Sequence, residues 1–412
     1  MDINTLIIEA QAHATNMQAY KDSIATPTTP LVPAWLVNKA INQWLSLPNT
    51  QTGQIDMTVI TAAGLNPGDW SWGRPDIGIL AYSGGTLKKL NSTLILFGGG
   101  GSRAWAGNEL RGLCLEVDVP HWNLLTNPSP ASLCWANNQQ PGGPSPTNAY
   151  LRDGVTPNAR HSFYQPQFID SLNTMLTLGV CDTWENDSSP AGNEKYHVDA
   201  ISLDTKIWAL PDTHPKASAY PRGQDGNWII KHPITEKVYF CGQANIGEYT
   251  ASTKTWKTVF TTTTSELDRA GACIDPVNNV MLRIGQWTGA QNIFHEFNMA
   301  TSPNWSMTPC TVTGPYAALI NEAQLYWSNG FVYDSGLGCF LMYQDDGFLY
   351  TIKRTAPAAY IVDRLTMTGT APTAGQTGGY HAIWGRMQYV PNLKGVVMCL
   401  SGLNNVYFVK TS

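Results

Sequence analysis

A unit that repeats along the chain constrains the fold more than any other feature of the sequence. The tetrapeptide AGNE occurs twice, at Ala106–Glu109 and at Ala191–Glu194, and an apolar–polar run with a tryptophan follows each copy. The closing aromatic recurs at Trp122, Trp208, Trp256, Trp305 and Tyr360. Each closing aromatic is preceded by a strand-like run, a tight turn, an apolar run, a loop and another strand-like run. The sequence therefore predicts a series of four-stranded units.

The last of six such units, WGRMQYVPNLKGVVMCLSGLNNVYFVKTS, ends after three strand-like runs. A fourth run stands near the other end of the chain, in INQWLSLPNT, where Trp44 takes the place of the repeated aromatic. A strand from this segment would complete the unit, close the ring and remove an open sheet edge. We therefore predict an all-β, six-bladed β-propeller closed by an N-terminal strand. A seventh blade stays open, because the long segment between Trp44 and Trp122 contains another apolar run, DMTVIT.

The composition agrees with this architecture and argues against several classes of partner. Only 13% of the 412 residues are charged, while 37 glycines and 26 prolines favour short strands and turns. The net charge of −5, without a basic cluster, argues against nucleic acid. No apolar run approaches the roughly 18 residues of a membrane span, so we expect no membrane insertion. The first residues lack the basic and apolar regions of a signal peptide.

The eight cysteines stand singly, without CxxC pairs. Several lie inside strand-like runs, such as Cys241 in KVYFCG and Cys399 in GVVMCLSG. We interpret them as reduced and buried rather than as a disulfide framework or a zinc site. We expect neither a metal nor a cofactor.

The first 40 residues do not follow the pattern of the repeated unit. A set of residues spaced by four and three positions predicts an amphipathic helix that packs on a partner. The set consists of Leu6, Ala10, His13, Met17, Tyr20 and Ile24. Three prolines, at positions 27, 30 and 33, then predict a stiff linker. We predict a helical arm with its linker at 1–40 and the propeller at 41–412. The arm either folds back on its own propeller or serves in docking and oligomerisation.

Two stretches, GGGGSRAWAGNELRGLCLEVDVPHW and ARHSFYQPQFID, resemble kelch and galactose-oxidase-like β-propellers of the kind found in phage and bacterial surface proteins. The resemblance covers about residues 41 to 411 and lies in the glycines, the polar loop and the tryptophan of each unit. It implies the propeller fold. It leaves the function open, because propellers include enzymes, sugar-binding proteins and scaffolds.

Long connections between the predicted strands carry candidate ligand-binding aromatics. In a propeller, the loops between the second and third strands emerge on the same face as the connections between blades, and here they are long at 98–108, 127–158, 181–193 and 211–226. They contain Trp105, Trp135, Tyr150 and Trp184. Aromatic rings that lie exposed among polar residues suit the stacking of sugars, so we expect these tryptophans to be partly solvent-exposed. In the alternative interpretation, these aromatic side chains pack against the ring and hold the long loops in place.

Arginine recurs where the inner strands begin, at Arg74, Arg160, Arg222, Arg269 and Arg386. At the mouth of a central channel, such arginines would clamp a carboxylate or a sulfate, and His161 beside Arg160 joins this candidate site. In the alternative interpretation, each arginine ties neighbouring blades together through backbone carbonyls or carboxylates.

These observations favour a non-enzymatic structural or binding module of a virion or surface assembly, with a phage tail- or capsid-associated protein as the leading hypothesis. We expect localisation in the virion, homo-oligomerisation, contacts with other assembly proteins through the arm, and a surface glycan as a ligand. The alternative is a galactose-oxidase-like or other propeller enzyme that acts on carbohydrate. Tyr196–His197 and Tyr380–His381 contain ligand types for copper, but no matching cysteine completes the pattern, and we assign no catalytic residue.

Overall fold

The computed structural model describes residues 32–412 apart from 56, 66–78, 81–82, 98–104, 106, 134–150, 152, 154, 158, 161, 165, 179–197, 211–227, 242–244, 263–270, 286–293, 301–303, 322–328, 345 and 374–382. Its strands form six sheets of four or five strands each. Within the sheets, neighbouring strands are mostly consecutive in the chain and antiparallel. The chain is therefore a six-bladed β-propeller, as predicted.

The strands are numbered in chain order, and β1 is Gln43–Ser46. Blade 1 contains β2 (Gly85–Lys88), β3 (Thr93–Leu96), β4 (Arg111–Cys114) and β5 (Trp122–Leu124). Blade 2 contains β6 (Gln167–Ile169), β7 (Thr174–Leu178), β8 (Val198–Ser202) and β9 (Ile207–Trp208). Blade 3 contains β10 (Ile229–Lys231), β11 (Val238–Cys241), β12 (Asn245–Thr250) and β13 (Thr255–Thr261).

Blade 4 contains β14 (Gly271–Asp275), β15 (Val280–Ile284), β16 (Phe294–Asn298) and β17 (Ser306–Pro309). Blade 5 contains β19 (Gly330–Asp334), β20 (Cys339–Tyr343), β21 (Leu349–Ala356) and β22 (Ala359–Arg364), with β18 (Thr311–Thr313) at its outer edge. Blade 6 contains β24 (Met387–Val390), β25 (Gly395–Met398) and β26 (Tyr407–Lys410), followed in the sheet by β1 and by β23 (Thr368–Gly369).

Blade 6 joins the two ends of the described chain. Its β1 pairs antiparallel with β26, with Trp44 opposite Val409 and Leu45 opposite Phe408. β23 then pairs parallel with β1 and covers its other edge. The sheet therefore pairs β1 with β26 along one edge and covers Gln43 and Trp44 on the other edge with β23.

Short helices connect a few of the strands. The α-helices are α1 (Met57–Ala62) and α2 (Ala317–Asn321). The 3-10 helices are Ala34–Leu36, Thr52–Gln54, Ala131–Leu133, Asp170–Leu172, Trp384–Arg386 and Pro391–Leu393. The apolar run that left a seventh blade open folds as α1, and the described residues contain no seventh sheet. None of the helices in the described part of the chain has the length and apolar character to cross a membrane.

The repeated aromatic lies on or directly before the fourth strand of its blade, and in four blades it contacts an aromatic ring of the preceding blade. Trp208 of blade 2 packs against Phe97 of blade 1, with ring centroids 5.4 Å apart. The same contact between neighbouring blades recurs as Trp305–Tyr239, Tyr360–Phe294 and Trp44–Tyr343. Trp122 donates its indole N–H to the carbonyl of Thr50, 2.7 Å away. Trp256 of blade 3 contacts the rings of Phe240 and Tyr249 in its own blade. The recurrence is therefore explained in four blades by one large side chain at the same interface.

Cysteines in the described part of the chain form no disulfide. Cys241, Cys339 and Cys399 are buried, whereas Cys114, Cys273 and Cys310 are partly exposed. Burial raises the pKa of the Cys273, Cys310 and Cys339 thiols to about 12, so these thiols stay protonated at neutral pH. Cys134 and Cys181 lie outside the described residues.

Candidate functional site

The two faces of the ring differ in the length of their connections. On one face, the turns between the first and second strands span only 89–92, 170–173, 232–237, 276–279, 335–338 and 391–394. On the other face, blades 1 and 2 carry the connections 97–110, 125–166, 179–197 and 209–228. We call these the short-turn face and the long-loop face. The long-loop face is the candidate site, because loops on a rigid scaffold commonly carry function.

A buried cluster fixes the base of the first long loop. Trp105 is 0% exposed and donates its indole N–H to both carboxylate oxygens of Glu109, at 3.1 and 3.2 Å. Arg111 donates to the Glu109 Oε1 atom from Nε at 3.0 Å and from Nη2 at 2.6 Å. Its Nη1 atom donates to the Thr52 carbonyl at 3.0 Å. The loop base therefore holds a buried ion pair that is satisfied on both sides.

The expectation that Trp105 is partly exposed is wrong. Its ring lies within 5.9 Å of the Arg111 guanidinium, and its N–H group is used by a carboxylate four residues later. This geometry agrees with the alternative interpretation, in which the tryptophan pins the loop to the ring. An indole that is 0% exposed offers no face for a sugar in this structure.

The first AGNE sequence closes the same loop. A Cβ atom on Gly107 would lie 2.2 Å from the Glu109 Oε2 atom and 2.3 Å from the Trp105 Nε1 atom, so the glycine permits a close approach. Asn108 reaches further along the chain, since its amide donates to the Pro157 carbonyl at 3.0 Å and accepts from the Ser129 N–H at 2.9 Å. The motif therefore has an architectural role, and its asparagine ties two long loops together.

The two described arginines of the recurrent set are both buried. Arg160 forms an ion pair with Asp199 of β8, with 2.9 Å between Nη1 and Oδ2. Arg386 donates to the Leu80 carbonyl at 2.9 Å and thereby joins blade 6 to the segment before blade 1. Burial lowers the pKa of Arg386 to about 10. The Arg386 contact agrees with the alternative interpretation, in which arginines tie neighbouring blades through carbonyls or carboxylates. The Arg160 ion pair is instead with a strand of blade 2, the blade that Arg160 precedes.

Aromatic side chains close the centre of the ring on the long-loop side. Phe163, which precedes blade 2, packs edge-on against Trp384, which precedes blade 6, with ring centroids 5.1 Å apart. The Tyr164 hydroxyl donates to the Asn329 carbonyl before blade 5, at 2.5 Å. Because blades 2 and 5 lie opposite each other in a six-bladed ring, this bond crosses the axis. We call Phe163, Tyr164 and Trp384 the aromatic plug.

The plug is held in a tight backbone arrangement. Phe163 and Trp384 have φ angles of 31° and 40°, in the left-handed region that residues with a Cβ atom rarely adopt. A Cβ atom on Gly84 would lie 1.5 Å from the Phe163 carbonyl oxygen, so only glycine fits there. Sequence reasoning missed the plug, although a signal was present in the aromatic pair of HSFYQP just before a predicted inner strand.

The remaining candidate residues lie outside the described residues, and their roles stay predictions. The ligand-binding candidates among them are Trp135, Tyr150, His161, Trp184, Arg222 and Arg269. The assembly candidates among them are Leu6, Ala10, Met17, Tyr20 and Ile24. Within the described part of the chain, no group of three or more histidine, cysteine, aspartate or glutamate residues is arranged to hold a metal ion.

Comparisons with known proteins identify no family for this chain. No protein-family model matches it, and no curated protein matches it in sequence. Solved structures with a similar chain path include a fungal alcohol oxidase of the AA5 family in complex with copper, with 11% identity and a TM-score of 0.43. The match covers 80% of this chain and 62% of the oxidase, so the chain spans less than two thirds of that protein.

Two auxiliary nutrient binding proteins are similar at the same level. The protein from Bacteroides thetaiotaomicron VPI-5482 has 12% identity and a TM-score of 0.46. The protein from Bacteroides ovatus ATCC 8483 has 8% identity and a TM-score of 0.46. Each match covers 81% of this chain and 69% of the other. The fold assignment itself rests on the six sheets described above.

Proposed function

We propose that this chain is a non-enzymatic, kelch-like binding module of a virion or surface assembly, and that its long-loop face recognises a glycan or another surface ligand. The observation that carries the proposal is the asymmetry of the ring. Blades 1 and 2 concentrate their long connections on one face, while the opposite turns of the same blades span 89–92 and 170–173. A rigid ring with long loops on one side is suited to recognition.

The bases of these loops are fixed before any ligand arrives. The Trp105–Glu109–Arg111 cluster anchors the first loop, and Asn108 joins it to the second. In the second loop, Asp153 accepts the N–H groups of Val155 and Thr156, both at 2.9 Å. Fixed loop bases reduce the conformational entropy that binding would otherwise cost, which supports a recognition role.

Loop aromatics outside the described residues are the proposed contacts with a ligand. Trp135, Tyr150 and Trp184 are rings of the type that stacks on the C–H face of a sugar, while Arg222 and Arg269 supply hydrogen-bond donors for hydroxyls or a carboxylate. Trp105 is removed from this set because it is buried. The arm at 1–40 supplies the proposed contact with other assembly proteins and with further copies of the chain, and the virion is the proposed location.

A glycan array on the purified full-length protein tests the recognition role. We expect the double variant Trp135→Ala/Trp184→Ala to bind its glycan at least about tenfold more weakly, since each tenfold change corresponds to about 1.4 kcal/mol. The matched control is Leu90→Ala/Val277→Ala, which truncates two exposed apolar side chains on the short-turn face. We expect this control to bind as the wild type does.

Two outcomes would contradict the proposal. The first is an array without any bound glycan, together with early melting of the tryptophan variant, which would make these tryptophans loop anchors. The second is stoichiometric copper in the purified protein together with oxidation of a carbohydrate alcohol, which would favour the galactose-oxidase-like alternative.

A further inference from the structure

The short-turn face exposes apolar side chains at repeated positions. Leu90 and Val277 are the second residues of the turns of blades 1 and 4, and Ile234 is the third residue of the turn of blade 3; they are 77%, 79% and 59% exposed. Leu172, in the corresponding turn of blade 2, is 41% exposed. Isolated exposed apolar residues are common on soluble proteins. Their recurrence in four successive blades marks this face as different from an ordinary surface.

Hydrogen bonds hold the apolar turns of blade 1 side by side. The turn between β4 and β5 carries Val117 and Val119, which are 38% and 67% exposed. Its Glu116 carboxylate accepts from the Ser92 hydroxyl at 2.6 Å, and Ser92 belongs to the turn of Leu90. The two turns of blade 1 are therefore adjacent on the short-turn face.

Further bonds extend this row into blades 2 and 3. The Lys89 N–H donates to the Asp170 Oδ1 atom at 2.7 Å, which places the turn of Leu90 beside that of Leu172. The Lys89 Nζ atom donates to the Pro233 carbonyl at 2.6 Å, and the Asp170 N–H donates to Glu236 at 2.8 Å. Both bonds reach the turn that contains Ile234. We call Leu90, Val117, Val119, Leu172 and Ile234 the apolar belt.

The described part of the chain begins at one end of the belt. The Ala34 N–H donates to Asp118 at 2.7 Å, and Asp118 stands between Val117 and Val119. The Trp35 indole N–H donates to the Val117 carbonyl at 3.1 Å. Val32, just before these contacts, is 53% exposed. Residues 1–31 therefore connect to the ring at the rim of the short-turn face, beside the belt.

The sequence of this arm supplies a matching apolar seam. The spacing from Leu6 to Ile24 predicts an amphipathic helix of about 28 Å, at about 1.5 Å per residue. The prolines at 27, 30 and 33 favour an extended linker of about 3.1 Å per residue, which would hold the seam away from the ring. If a two-fold axis passes near Val32, the root of each arm lies next to the belt of the other copy.

We propose that the apolar belt of one copy binds the seam of residues 6–24 from a second copy, in a reciprocal exchange that closes a dimer. The inference rests on the assembly role proposed for the arm and names its docking surface. It uses the short-turn face and leaves the long-loop face of both copies free for a ligand.

The test is the mass of the full-length protein in solution, measured by size-exclusion chromatography with light scattering over a range of concentrations. We expect a dimer for the wild type. Leu90→Asp/Ile234→Asp, in the belt, and Leu6→Asp/Met17→Asp, in the arm, should each raise the dissociation constant at least about a hundredfold, or about tenfold per side chain. Val277→Asp is the matched control, since it changes the same turn position in blade 4, outside the belt. It should dimerise as the wild type does.

Mixing the belt variant with the arm variant distinguishes exchange from folding back. Each mixed pair retains one intact arm on one intact belt, so we expect measurable association where neither variant associates alone. A wild type that is monomeric throughout, a dimer that the belt variant leaves unchanged, or a mixture that fails to associate would each overturn the inference. Melting temperatures equal to that of the wild type establish that the variants are folded.

The glycan array separates this inference from the proposed recognition function. Loss of the dimer in the belt variant with glycan binding retained supports both. A dimer without glycan binding contradicts only the recognition role, and glycan binding by a protein that never dimerises contradicts only the exchange.

Discussion

The two faces of the ring use charged and apolar residues in opposite ways. At the base of the long-loop face, Glu109, Arg111, Arg160 and Arg386 are all 0% exposed and bond to protein groups. On the short-turn face, the pair of Lys237 and Glu248 reaches the surface, since the Lys237 side chain is 39% exposed. Apolar residues such as Leu90 and Val277 point outward there. The long-loop base thus buries these four charged side chains, while the short turns expose Leu90 and Val277.

The difference between the two faces shows that one repeated unit can support two kinds of surface. Buried ion pairs require matched partners at fixed positions, so they specify the loop bases and tolerate little change. Partly exposed pairs are screened by water and contribute little to stability.

The largest effect is expected from Glu109→Gln on the long-loop side. The change removes the carboxylate charge beside the buried Arg111 guanidinium and one acceptor of the Trp105 N–H group. Breaking a buried pair costs about 3–5 kcal/mol. We expect the free energy of unfolding, measured by urea denaturation, to fall by that amount. A loss below about 1 kcal/mol would show that the buried pair is no different from a surface pair.

The aromatic plug should be nearly as sensitive. In Gly84→Ala, the new Cβ atom would lie 1.5 Å from the backbone oxygen of Phe163, which side-chain rotation cannot relieve. We expect a loss of about 3 kcal/mol, at the upper end of the usual cost of overpacking. Gly338→Ala is the control, because Gly338 has open space around it and a φ of +63°. It should lose only the left-handed backbone cost of about 1–2 kcal/mol. Equal losses would argue against a tight plug.

Sequence predicted the ring well because its signals are local and repeated. The aromatic at Trp122, Trp208, Trp256 and Tyr360 lies on the fourth strand of its blade, so one position of the repeated unit corresponds to one position in the fold. The burial of Trp105 could not be predicted from a local, repeated sequence signal. It depends on the carboxylate of Glu109, four residues later, and on Arg111 of the third strand. The sequence around a tryptophan among polar residues is the same whether its indole is exposed or bonded to a buried carboxylate.

The plug and the belt were missed for a related reason. Phe163 meets Trp384 across more than 200 residues of chain, and no periodicity links the two positions. The belt residues occupy turns, where the sequence pattern leads one to expect polar side chains. Their shared exposure becomes visible only when the turns are aligned in space, through bonds such as that from Lys89 to Asp170.

On the short-turn face, Glu248→Gln gives the matched comparison with Glu109→Gln. Glu248 accepts from Lys237 Nζ at 2.8 Å and from the Tyr239 hydroxyl at 3.1 Å. Glutamine keeps an acceptor for the tyrosine and removes only a pair whose lysine is 39% exposed. We expect a loss of less than about 1 kcal/mol in urea denaturation, and a smaller dependence of stability on salt. A loss as large as that of Glu109→Gln would abolish the contrast between the faces.

The smallest effect at neutral pH is expected from His232→Asn. His232 begins the turn of blade 3, where its Nδ1 atom accepts the N–H groups of Ile234 and Thr235, both at 3.2 Å. In the turn of blade 4, Asp275 accepts the Val277 N–H in the same manner, at 2.9 Å. An asparagine side-chain oxygen can make these bonds without titrating. At pH 7 we therefore expect a change within about 0.5 kcal/mol.

The pH dependence of stability distinguishes His232 from an asparagine at the same position. Burial, reinforced by Lys89 and Lys237, lowers the pKa of His232 from 6.5 to about 4 in the folded protein. Between these values the unfolded chain binds a proton that the folded protein does not, so the wild type loses stability as the pH falls from 6.5 towards 4, by at most about 1.4 kcal/mol per pH unit from this group. His232→Asn removes this contribution and should be more stable than the wild type at pH 5. Urea denaturation of both proteins at pH 7, 6, 5 and 4.5 measures the difference, and parallel curves would mean that the histidine is protonated as easily in the folded turn as in the unfolded chain.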